Sequence, residues 1–181
     1  MSTASPPPAP EGRVEVFTGE GKGKTTAALG IALRASGHGL KVFIVYFMKG
    51  SFPYGEQKVL SRLPGISFAK FGLESFVDPD NVTEAEKEQA RRALQKAKEV
   101  IFSNKYDIVI LDEINLAAAW KLVDIDEVLK LVKGKPEKVE LILTGRHADD
   151  RLVELADLVT EMTKIKHPYD KGIVARKGID Y

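Results

Sequence analysis

Hydrophobic positions along the chain form two kinds of pattern that alternate. Short, nearly continuous apolar runs are typical of buried β-strands, and apolar residues that recur every three or four positions are typical of helices that bury one face. The apolar runs predict strands at residues 13–18, 41–47, 66–71, 106–111, 139–143 and 158–162. The helical stretches cover residues 24–36, 56–61, 84–103, 124–133 and 149–155. This alternation predicts an α/β fold, a mostly parallel sheet with helices on both faces.

The first residues of the chain do not share this pattern. Residues 1–12 contain Pro6, Pro7, Pro8 and Pro10 among several small residues. Proline lacks the backbone donor that strands and helix interiors need, so we expect a flexible leader at residues 1–12. The remaining chain has the length of one domain with a full core, and it contains no internal repeat. We therefore expect a single domain at residues 13–181.

Composition and charge narrow the range of functions. The 181 residues are 44% hydrophobic and 29% charged, and 27 basic against 26 acidic residues leave a formal charge of +1. So small a net charge does not attract nucleic acid or a membrane surface, and every apolar run is much shorter than a membrane span. We expect neither partner. The chain contains no cysteine, which excludes disulfides and thiol nucleophiles and agrees with the reducing cytoplasm where we expect the protein.

A glycine-rich loop joins the first predicted strand to the first predicted helix. Residues 18–26 read Thr-Gly-Glu-Gly-Lys-Gly-Lys-Thr-Thr. The glycines allow backbone N–H groups to turn toward an anion, Lys24 adds a mobile cation, and the positive end of the following helix points to the same place. Thr25 can offer its hydroxyl to Mg²⁺. The loop therefore predicts a P-loop that binds a nucleotide through Gly19, Glu20, Gly21, Lys22, Gly23, Lys24, Thr25 and Thr26.

Two details of this loop leave alternatives open. The usual P-loop pattern has its first glycine where this chain has Thr18, so the loop is either shortened or holds its nucleotide differently. Lys22 is either a phosphate contact or a solvated side chain at the tip of the loop. A surface turn rich in glycine and lysine would also fit these residues, but the strand before the loop and the helix after it favour a P-loop. Combined with the predicted sheet, the motif indicates a three-layer P-loop NTPase fold of the RecA-like type.

Two adjacent acids, Asp112 and Glu113, follow the apolar run at residues 106–111. Carboxylates at the end of a buried strand are costly unless a metal or hydrogen bonds offset their charge, and Mg²⁺ on a nucleotide does so. We therefore interpret the two residues as a Walker B pair that binds metal. The alternative is that Asp112 caps the next segment and Glu113 is an exposed loop residue.

Residues 144–146, Thr-Gly-Arg, follow the apolar run at residues 139–143 in the same way. Ligands of parallel sheets bind at the carboxyl ends of the strands, and the planar guanidinium of Arg146 has the donors to hold a triphosphate. The alternative is a surface arginine that pairs with Asp149 or Asp150. None of the three histidines has a partner pattern for metal binding or nucleophilic catalysis.

These motifs together resemble the P-loop ATP:corrinoid adenosyltransferases, a family that makes adenosylcobalamin. The resemblance extends over most of the chain and rests on residues 16–28, 46–50, 109–114, 143–146, 155–162, 166–172 and 175–181. A shortened P-loop is itself a trait of that family, which accounts for Thr18. The resemblance implies that ATP lies across the loop with its ribose, and not its γ-phosphate, presented to the acceptor.

The implied reaction is transfer of the 5′-deoxyadenosyl group of ATP to the Co(I) of a reduced corrinoid, with release of triphosphate. By resemblance, Lys24, Glu113 and Arg146 are the catalytic residues. Thr25, Glu113 and Asp112 would hold the Mg²⁺ that accompanies ATP. Because Co(I) is a strong nucleophile, the protein needs no general base and acts by positioning and charge stabilisation. The resemblance further implies ATP and the corrinoid as substrates, a reductase or flavoprotein as electron donor, and a homodimer.

The expected corrinoid site departs from the pattern of better-known relatives. Those proteins carry an aromatic pair in a Gly-Phe-Thr-Trp-like segment, whereas the corresponding residues 72–77 contain no tryptophan. Phe76 is our candidate for the side chain that closes one face of the corrin. The alternative is that Phe71 and Phe76 both belong to the core. We expect Trp120 to pack against its neighbours or against a second subunit.

Two other classes of function fit the residues without the resemblance. One is a generic P-loop phosphotransferase or ATPase, such as a nucleoside kinase, in which Glu113 activates water or a hydroxyl. The other is a RecA-like nucleotide-binding module whose output is an interaction with a partner. The resemblance argues against both, and the product formed from ATP distinguishes them.

Overall fold

A computed structural model describes residues 11–181. Most of the predicted leader, residues 1–10, lies outside the described part of the chain. The N–H of Gly12 donates to the carbonyl of Glu137 at 2.7 Å, and the carbonyl of Gly12 accepts from the ammonium of Lys135 at 2.6 Å. Among the described residues, Gly12 is thus already bonded to the rest of the fold, immediately before Arg13, where we predict the start of the domain.

The described residues form one sheet of six parallel strands, which occur where the apolar runs predict them. The strands are β1 (Val14–Thr18), β2 (Val42–Tyr46), β3 (Ile66–Lys70), β4 (Ile108–Asp112), β5 (Glu140–Thr144) and β6 (Leu158–Glu161). Their order is β3-β2-β4-β5-β1-β6, so β5 lies between β1 and β4. Because the strands are parallel, their carboxyl ends meet at one edge of the sheet, which we call the carboxyl edge. Their amino ends meet at the opposite edge, the amino edge.

Six α-helices alternate with these strands within residues 11–181. They are α1 (Lys24–Gly37), α2 (Gly55–Leu60), α3 (Glu84–Phe102), α4 (Ile114–Ala119), α5 (Ile125–Lys133) and α6 (Asp150–Leu155). Five of them confirm predicted helices, with small shifts at their ends. Helix α4, Ile-Asn-Leu-Ala-Ala-Ala, is missed because nearly all of its residues are apolar, so polar and apolar positions do not alternate at the helical spacing. None of the helices in this part of the chain has the length and apolar character needed to pass through a bilayer.

Helices cover both faces of the sheet. Alternate residues of a strand face opposite sides, so Ile110 of β4 packs with residues of α1 and α2, whereas Leu111 packs with residues of α3, α4, α5 and α6. Both faces are apolar, which is why the strands occur as continuous hydrophobic runs in the sequence. This architecture confirms the predicted three-layer α/β P-loop fold.

The amino edge carries a pair of acids. Glu15 of β1 hydrogen-bonds to Glu140 at the start of β5, and the backbone N–H of Arg13 donates to Glu140 Oε2 at 2.7 Å. Partial burial, followed by the hydrogen bond and the charge of Glu140, raises the pKa of Glu15 to about 7. This pair therefore retains a proton in mildly acidic solution, where an ordinary glutamate is ionised.

Candidate active site

The loop between β1 and α1 bends closely around the chain that follows β6. Gly19 and Gly23 adopt positive φ angles of 92° and 118°. A Cβ atom at Gly19 or Gly21 would lie 2.6 or 2.5 Å from the carbonyl oxygen of Met162, and the N–H of Gly21 donates to that oxygen at 2.5 Å. Glycine is thus required by the packing of the loop against Met162 as well as by the turns of its backbone.

Lys24, the first residue of α1, folds back into this loop. Its Nζ donates to the carbonyls of Gly19 at 2.7 Å and Gly21 at 2.6 Å, and the residue is only 8% exposed. Burial lowers the pKa of Lys24, and the negative charge of Glu113 opposes that effect. The ammonium therefore lies inside the predicted phosphate cradle, where phosphate oxygens can replace the two carbonyls as acceptors.

Thr18, which stands where the usual P-loop has a glycine, links the loop to the segment after β5. Its Oγ1 accepts from the N–H of Ala148 at 3.3 Å. Beside it, the N–H of Gly145 donates to the carbonyl of Phe17 at 3.1 Å. The P-loop and the segment after β5 are therefore held side by side at the carboxyl edge.

Asp112 ends β4 and is fully buried. Thr144 Oγ1 donates to Asp112 Oδ1 at 2.8 Å and accepts from the backbone N–H of Glu113 at 3.0 Å. One hydroxyl at the end of β5 thus orients both residues of the acidic pair. The carboxylate of Asp112 contacts Thr144 and Lys49 and does not cap α4, so the alternative role as a helix cap is wrong.

Glu113 immediately precedes α4 and has a φ angle of 66°, a left-handed conformation that is uncommon for residues other than glycine. Burial, followed by the negative charge of Asp112, raises the pKa of Glu113, whereas the charges of Lys49, Lys24 and Arg146 lower it. Its carboxyl group therefore shares this region with three cations and is not an exposed loop residue. Backbone strain of this kind is concentrated at functional sites.

Lys49, which belongs to the stretch at residues 46–50 that contributes to the resemblance, lies between the acidic pair and the P-loop. Its Nζ is 2.7 Å from Asp112 Oδ2 and 3.5 Å from Thr25 Oγ1, and its side chain is 9% exposed. Burial opposes the charge of Lys49, but the nearby Asp112 outweighs burial, so the pKa of Lys49 is raised. One feature of the sequence could have indicated this position: Lys49 comes shortly after the fully buried strand β2. A lysine that is buried is almost always paired with an acid.

Thr25, Asp112 and Glu113 fit a magnesium ion. Mg²⁺ prefers oxygen ligands, and these residues supply one hydroxyl and two carboxylates. Asp112 Oδ2 accepts no well-directed hydrogen bond within the described residues, so only the ion pair with Lys49 balances its charge. Residues 11–181 contain no cluster of three or more His, Cys, Asp or Glu side chains that could hold a metal. A magnesium ion would therefore need nucleotide oxygens as further ligands.

Arg146 reaches the P-loop from the segment after β5. Its Nη1 is 3.3 Å from Glu20 Oε2, and 52% of its side chain is exposed. Asp149, an alternative partner, pairs instead with Arg151 at 2.9 Å. The structure thus places Arg146 beside the P-loop rather than in the surface pair with Asp149 or Asp150.

Lys22 and Thr26, both from the predicted P-loop, are exposed. Lys22 forms an ion pair with Asp180 and donates to the carbonyl of Ile179 at 3.0 Å. It ties the tip of the loop to the last residues of the chain, a contact that the sequence does not reveal. Thr26 is exposed in the first turn of α1.

Phe76 lies between β3 and α3 and is 86% exposed, so it does not belong to the core. Phe71 is partly buried and packs against the core, as does Trp120. The N–H groups of Lys49 and Gly50 both donate to the carbonyl of Phe71, at 2.9 and 3.2 Å. The segment predicted to contact the corrinoid therefore begins next to the loop that carries Lys49.

The P-loop, the acidic pair and Arg146 come together at the carboxyl edge of a three-layer α/β fold, and this combination defines a P-loop nucleotide-binding protein. The family model described as ATP:corrinoid adenosyltransferase BtuR/CobO/CobP matches residues 10–181. The chain therefore belongs to this family of enzymes, as its motifs predict.

Individual relatives support the same assignment. A corrinoid adenosyltransferase of Escherichia coli (strain K12) is 39% identical over 170 residues, which cover 94% of this chain and 86% of that protein. Corrinoid adenosyltransferase CobA of Salmonella typhimurium (strain LT2) is 37% identical over 170 residues, with the same coverage of 94% and 86%. A corrinoid adenosyltransferase of Pseudomonas aeruginosa is 35% identical over 167 residues, which cover 92% and 82%.

Similarity to solved structures is weaker. The structure of EssC (ATPases 2 and 3) from Geobacillus thermodenitrificans matches with a TM-score of 0.48 at 15% identity, covering 93% of this chain and 35% of that chain. A similarity of this size adds nothing to the assignment.

Proposed function

We propose that the protein transfers the 5′-deoxyadenosyl group of ATP to the Co(I) of a reduced corrinoid and releases triphosphate, in the synthesis or salvage of adenosylcobalamin. The observation that carries this proposal is the family match over residues 10–181. The buried Lys24 in the P-loop and the acidic pair at the same edge of the sheet support the nucleotide half of the reaction.

The proposed step is a nucleophilic substitution at carbon. The electron pair of Co(I) attacks C5′ of ATP and forms the cobalt–carbon bond, while the bond from C5′ to the α-phosphate oxygen breaks and its electrons leave with triphosphate. No proton is transferred, so the reaction needs no general base. Its demand on the protein is to hold the two substrates in line and to stabilise the negative charge that grows on the leaving group.

The P-loop and Arg146 are suited to that demand. Lys24 and the backbone N–H groups of residues 19–25 would bind the triphosphate, and Arg146 lies at the rim of the loop through its contact with Glu20. Thr25, Glu113 and Asp112 would hold Mg²⁺, which would neutralise part of the triphosphate charge. Burial and the charge of Asp112 raise the pKa of Glu113, and the neighbouring Lys49, Lys24 and Arg146 oppose that rise. A bound Mg²⁺ would further favour the ionised form.

The corrinoid would lie next to the segment between β3 and α3. Phe76 is a large apolar side chain that is 86% exposed at this place, and burying it against a corrin face would remove its apolar surface from water. Its assignment as the side chain that closes one face of the corrin stays a prediction.

An anaerobic assay with ATP, Mg²⁺ and a chemically reduced corrinoid tests the proposal. We expect a light-sensitive adenosylated corrinoid and one triphosphate for each corrinoid converted. Orthophosphate or ADP without a spectral change in the corrinoid would instead identify a phosphotransferase or ATPase and overturn the proposal.

The oligomeric state, the electron donor, the cellular location and the domain boundaries are also predictions. We propose a homodimer, a reductase or flavoprotein that supplies the electron for Co(I), a cytoplasmic location, and a single adenosyltransferase domain at residues 13–181. Light scattering of the purified protein tests the first of these, and a monomeric mass would contradict it. A coupled assay with a flavoprotein in place of the chemical reductant tests the second.

A further inference from the structure

The ammonium of Lys49 occupies the space between residues that would hold Mg²⁺. Its Nζ lies 2.7 Å from Asp112 Oδ2 and 3.5 Å from the Oγ1 of Thr25, the P-loop threonine. These distances place a positive charge next to Thr25, in addition to that of Lys24, whose ammonium lies inside the loop. The site therefore has two lysines, the buried Lys24 inside the loop and Lys49 beside the Thr25 hydroxyl.

The surroundings of Lys49 favour its charged form. Asp112 is fully buried and supplies the opposite charge, and the Nζ atom lies 4.8 Å from the ring centroid of Tyr54 and 5.4 Å from that of Tyr46. Aromatic faces attract cations, so both rings stabilise the ammonium in a place that excludes most water. A cation held in this way interacts strongly with any anion that enters the site.

The backbone fixes where this cation stands. Met48 has a φ angle of 53°, and the N–H groups of Lys49 and Gly50 donate to the carbonyl of Phe71. A Cβ atom at Gly50 would lie 2.1 Å from the carbonyl oxygen of Leu73, so the two loops pack too closely for any other residue there. The loop after β2 is therefore attached to the loop after β3, and Lys49 enters the site from a rigid support.

We propose that Lys49 is a further phosphate-binding residue of the nucleotide site, whose ammonium binds ATP oxygens beside Thr25 and so allows ATP to bind before Mg²⁺ arrives. This inference rests on the proposed binding of ATP at the P-loop. In a solution without Mg²⁺, Lys49 would supply the positive charge beside Thr25, and with Mg²⁺ the ion would share that role. Lys24 differs in that it contacts phosphate with or without metal.

Calorimetric titration of the full-length protein with ATP, once with Mg²⁺ and once with EDTA, tests this role. For Lys49→Met we expect the affinity in EDTA to fall about tenfold or more, as for the loss of one charge-assisted phosphate contact, and the affinity with Mg²⁺ to fall much less. Lys49→Arg, which keeps the charge, should retain part of the EDTA affinity. Lys24→Ala should weaken binding in both conditions. Lys58→Met, which removes an exposed lysine of α2, controls for net charge and should change neither value.

A second variant covers the case in which Lys49→Met does not fold, since it leaves Asp112 buried without a partner. The double variant Lys49→Met with Asp112→Asn removes both charges of the pair and should show the same selective loss in EDTA. Asp112→Asn alone should keep the affinity for ATP in EDTA and lose part of the increase in ATP affinity that Mg²⁺ produces.

Three results would overturn the proposal for Lys49: wild-type protein that binds no ATP in EDTA, a Lys49→Met variant with unchanged EDTA affinity, or equal losses with and without Mg²⁺. Wild-type protein that fails to bind ATP even with Mg²⁺ would instead overturn the proposed function.

Discussion

Two acidic pairs lie at opposite edges of the same sheet, and they differ in their surroundings. At the carboxyl edge, the buried Asp112 and the partly buried Glu113 lie among lysines and an arginine, with Lys49 at 2.7 Å from Asp112. Glu15 and Glu140 at the amino edge have no side-chain ion pair within the described residues, and Glu15 reduces the repulsion by retaining a proton, with a pKa of about 7. The pKa of a glutamate is thus raised in both pairs, but only at the carboxyl edge do neighbouring cations oppose that rise, and there the pair is a candidate metal site.

The geometry of a parallel sheet accounts for this difference. Loops that leave the carboxyl ends of β1, β2, β4 and β5 bring Lys24, Lys49, the acidic pair and Arg146 to one place. The N-terminus of α1 adds its positive end there. At the amino edge, Glu140 accepts from the backbone N–H of Arg13 and pairs with Glu15.

The largest expected effect is that of Lys24→Ala. Loss of the ammonium that lies inside the P-loop should lower adenosylation about 100-fold or more, the usual effect of removing a donor that stabilises developing charge. Steady-state rates measure the loss of activity, and the thermal midpoint shows whether the variant is still folded. A rate close to that of the wild type would contradict the role assigned to Lys24.

Glu113→Gln breaks the carboxyl-edge pair with little change in shape. We expect at least about a tenfold loss in apparent Mg²⁺ affinity, because a carboxylate ligand becomes a neutral amide. A Mg²⁺ titration of the adenosylation rate measures this loss. Glu140→Gln is the matched control at the amino edge and should leave the Mg²⁺ dependence unchanged. Equal effects of the two substitutions would show that the two acidic pairs do not differ in their contribution to Mg²⁺ binding.

Thr144→Val removes the hydroxyl that bonds both Asp112 and the backbone of Glu113. Because it leaves a buried acceptor and a donor without their partner, we expect a loss of about 1 to 3 kcal/mol in the free energy of unfolding. Denaturant unfolding measures it. Thr144→Ser keeps the hydroxyl and should recover most of that stability, and a failure to do so would argue against the hydrogen bonds as the cause.

Glu15→Gln tests the amino-edge pair through pH. The pKa of Glu15 in the folded protein, about 7, lies above the ordinary value of 4.5, so the folded state binds more protons between these values and stability falls as pH rises through this window. The variant should remove most of that fall and gain about 1 kcal/mol above pH 7, after allowance for solvent screening. Thermal midpoints at pH 5 and pH 8 measure it, and an unchanged pH dependence would contradict the shared proton.

Lys22→Ala should have the smallest effect. Lys22 is half exposed and bonds residues at the end of the chain, so we expect ATP affinity and the adenosylation rate to stay within about threefold of wild type. A loss as large as that of Lys24→Ala would mean that Lys22 leaves Asp180 and contacts phosphate when ATP binds.

Positions directly after apolar runs were predictable, because a parallel sheet brings the carboxyl ends of its strands to one edge. This reasoning located Lys24, Asp112, Glu113 and Arg146 at the same edge, as the structure has them. Helix α4 was not predicted because its six residues are nearly all apolar and therefore show no helical alternation of polar and apolar positions. Phe76 could not be classed as core or surface, since an isolated aromatic residue in a loop has no periodic pattern.

The sequence by itself determined the alternation of strands and helices, the P-loop and the family, because these depend on local periodicity and on residues that are neighbours in the chain. Only the tertiary structure decided that Lys49 stands between Asp112 and Thr25, that Met162 requires glycine in the P-loop, and that Glu15 meets Glu140. These contacts join residues far apart in the chain, and whether a charge is balanced depends on which distant residues the packing brings within a few ångströms.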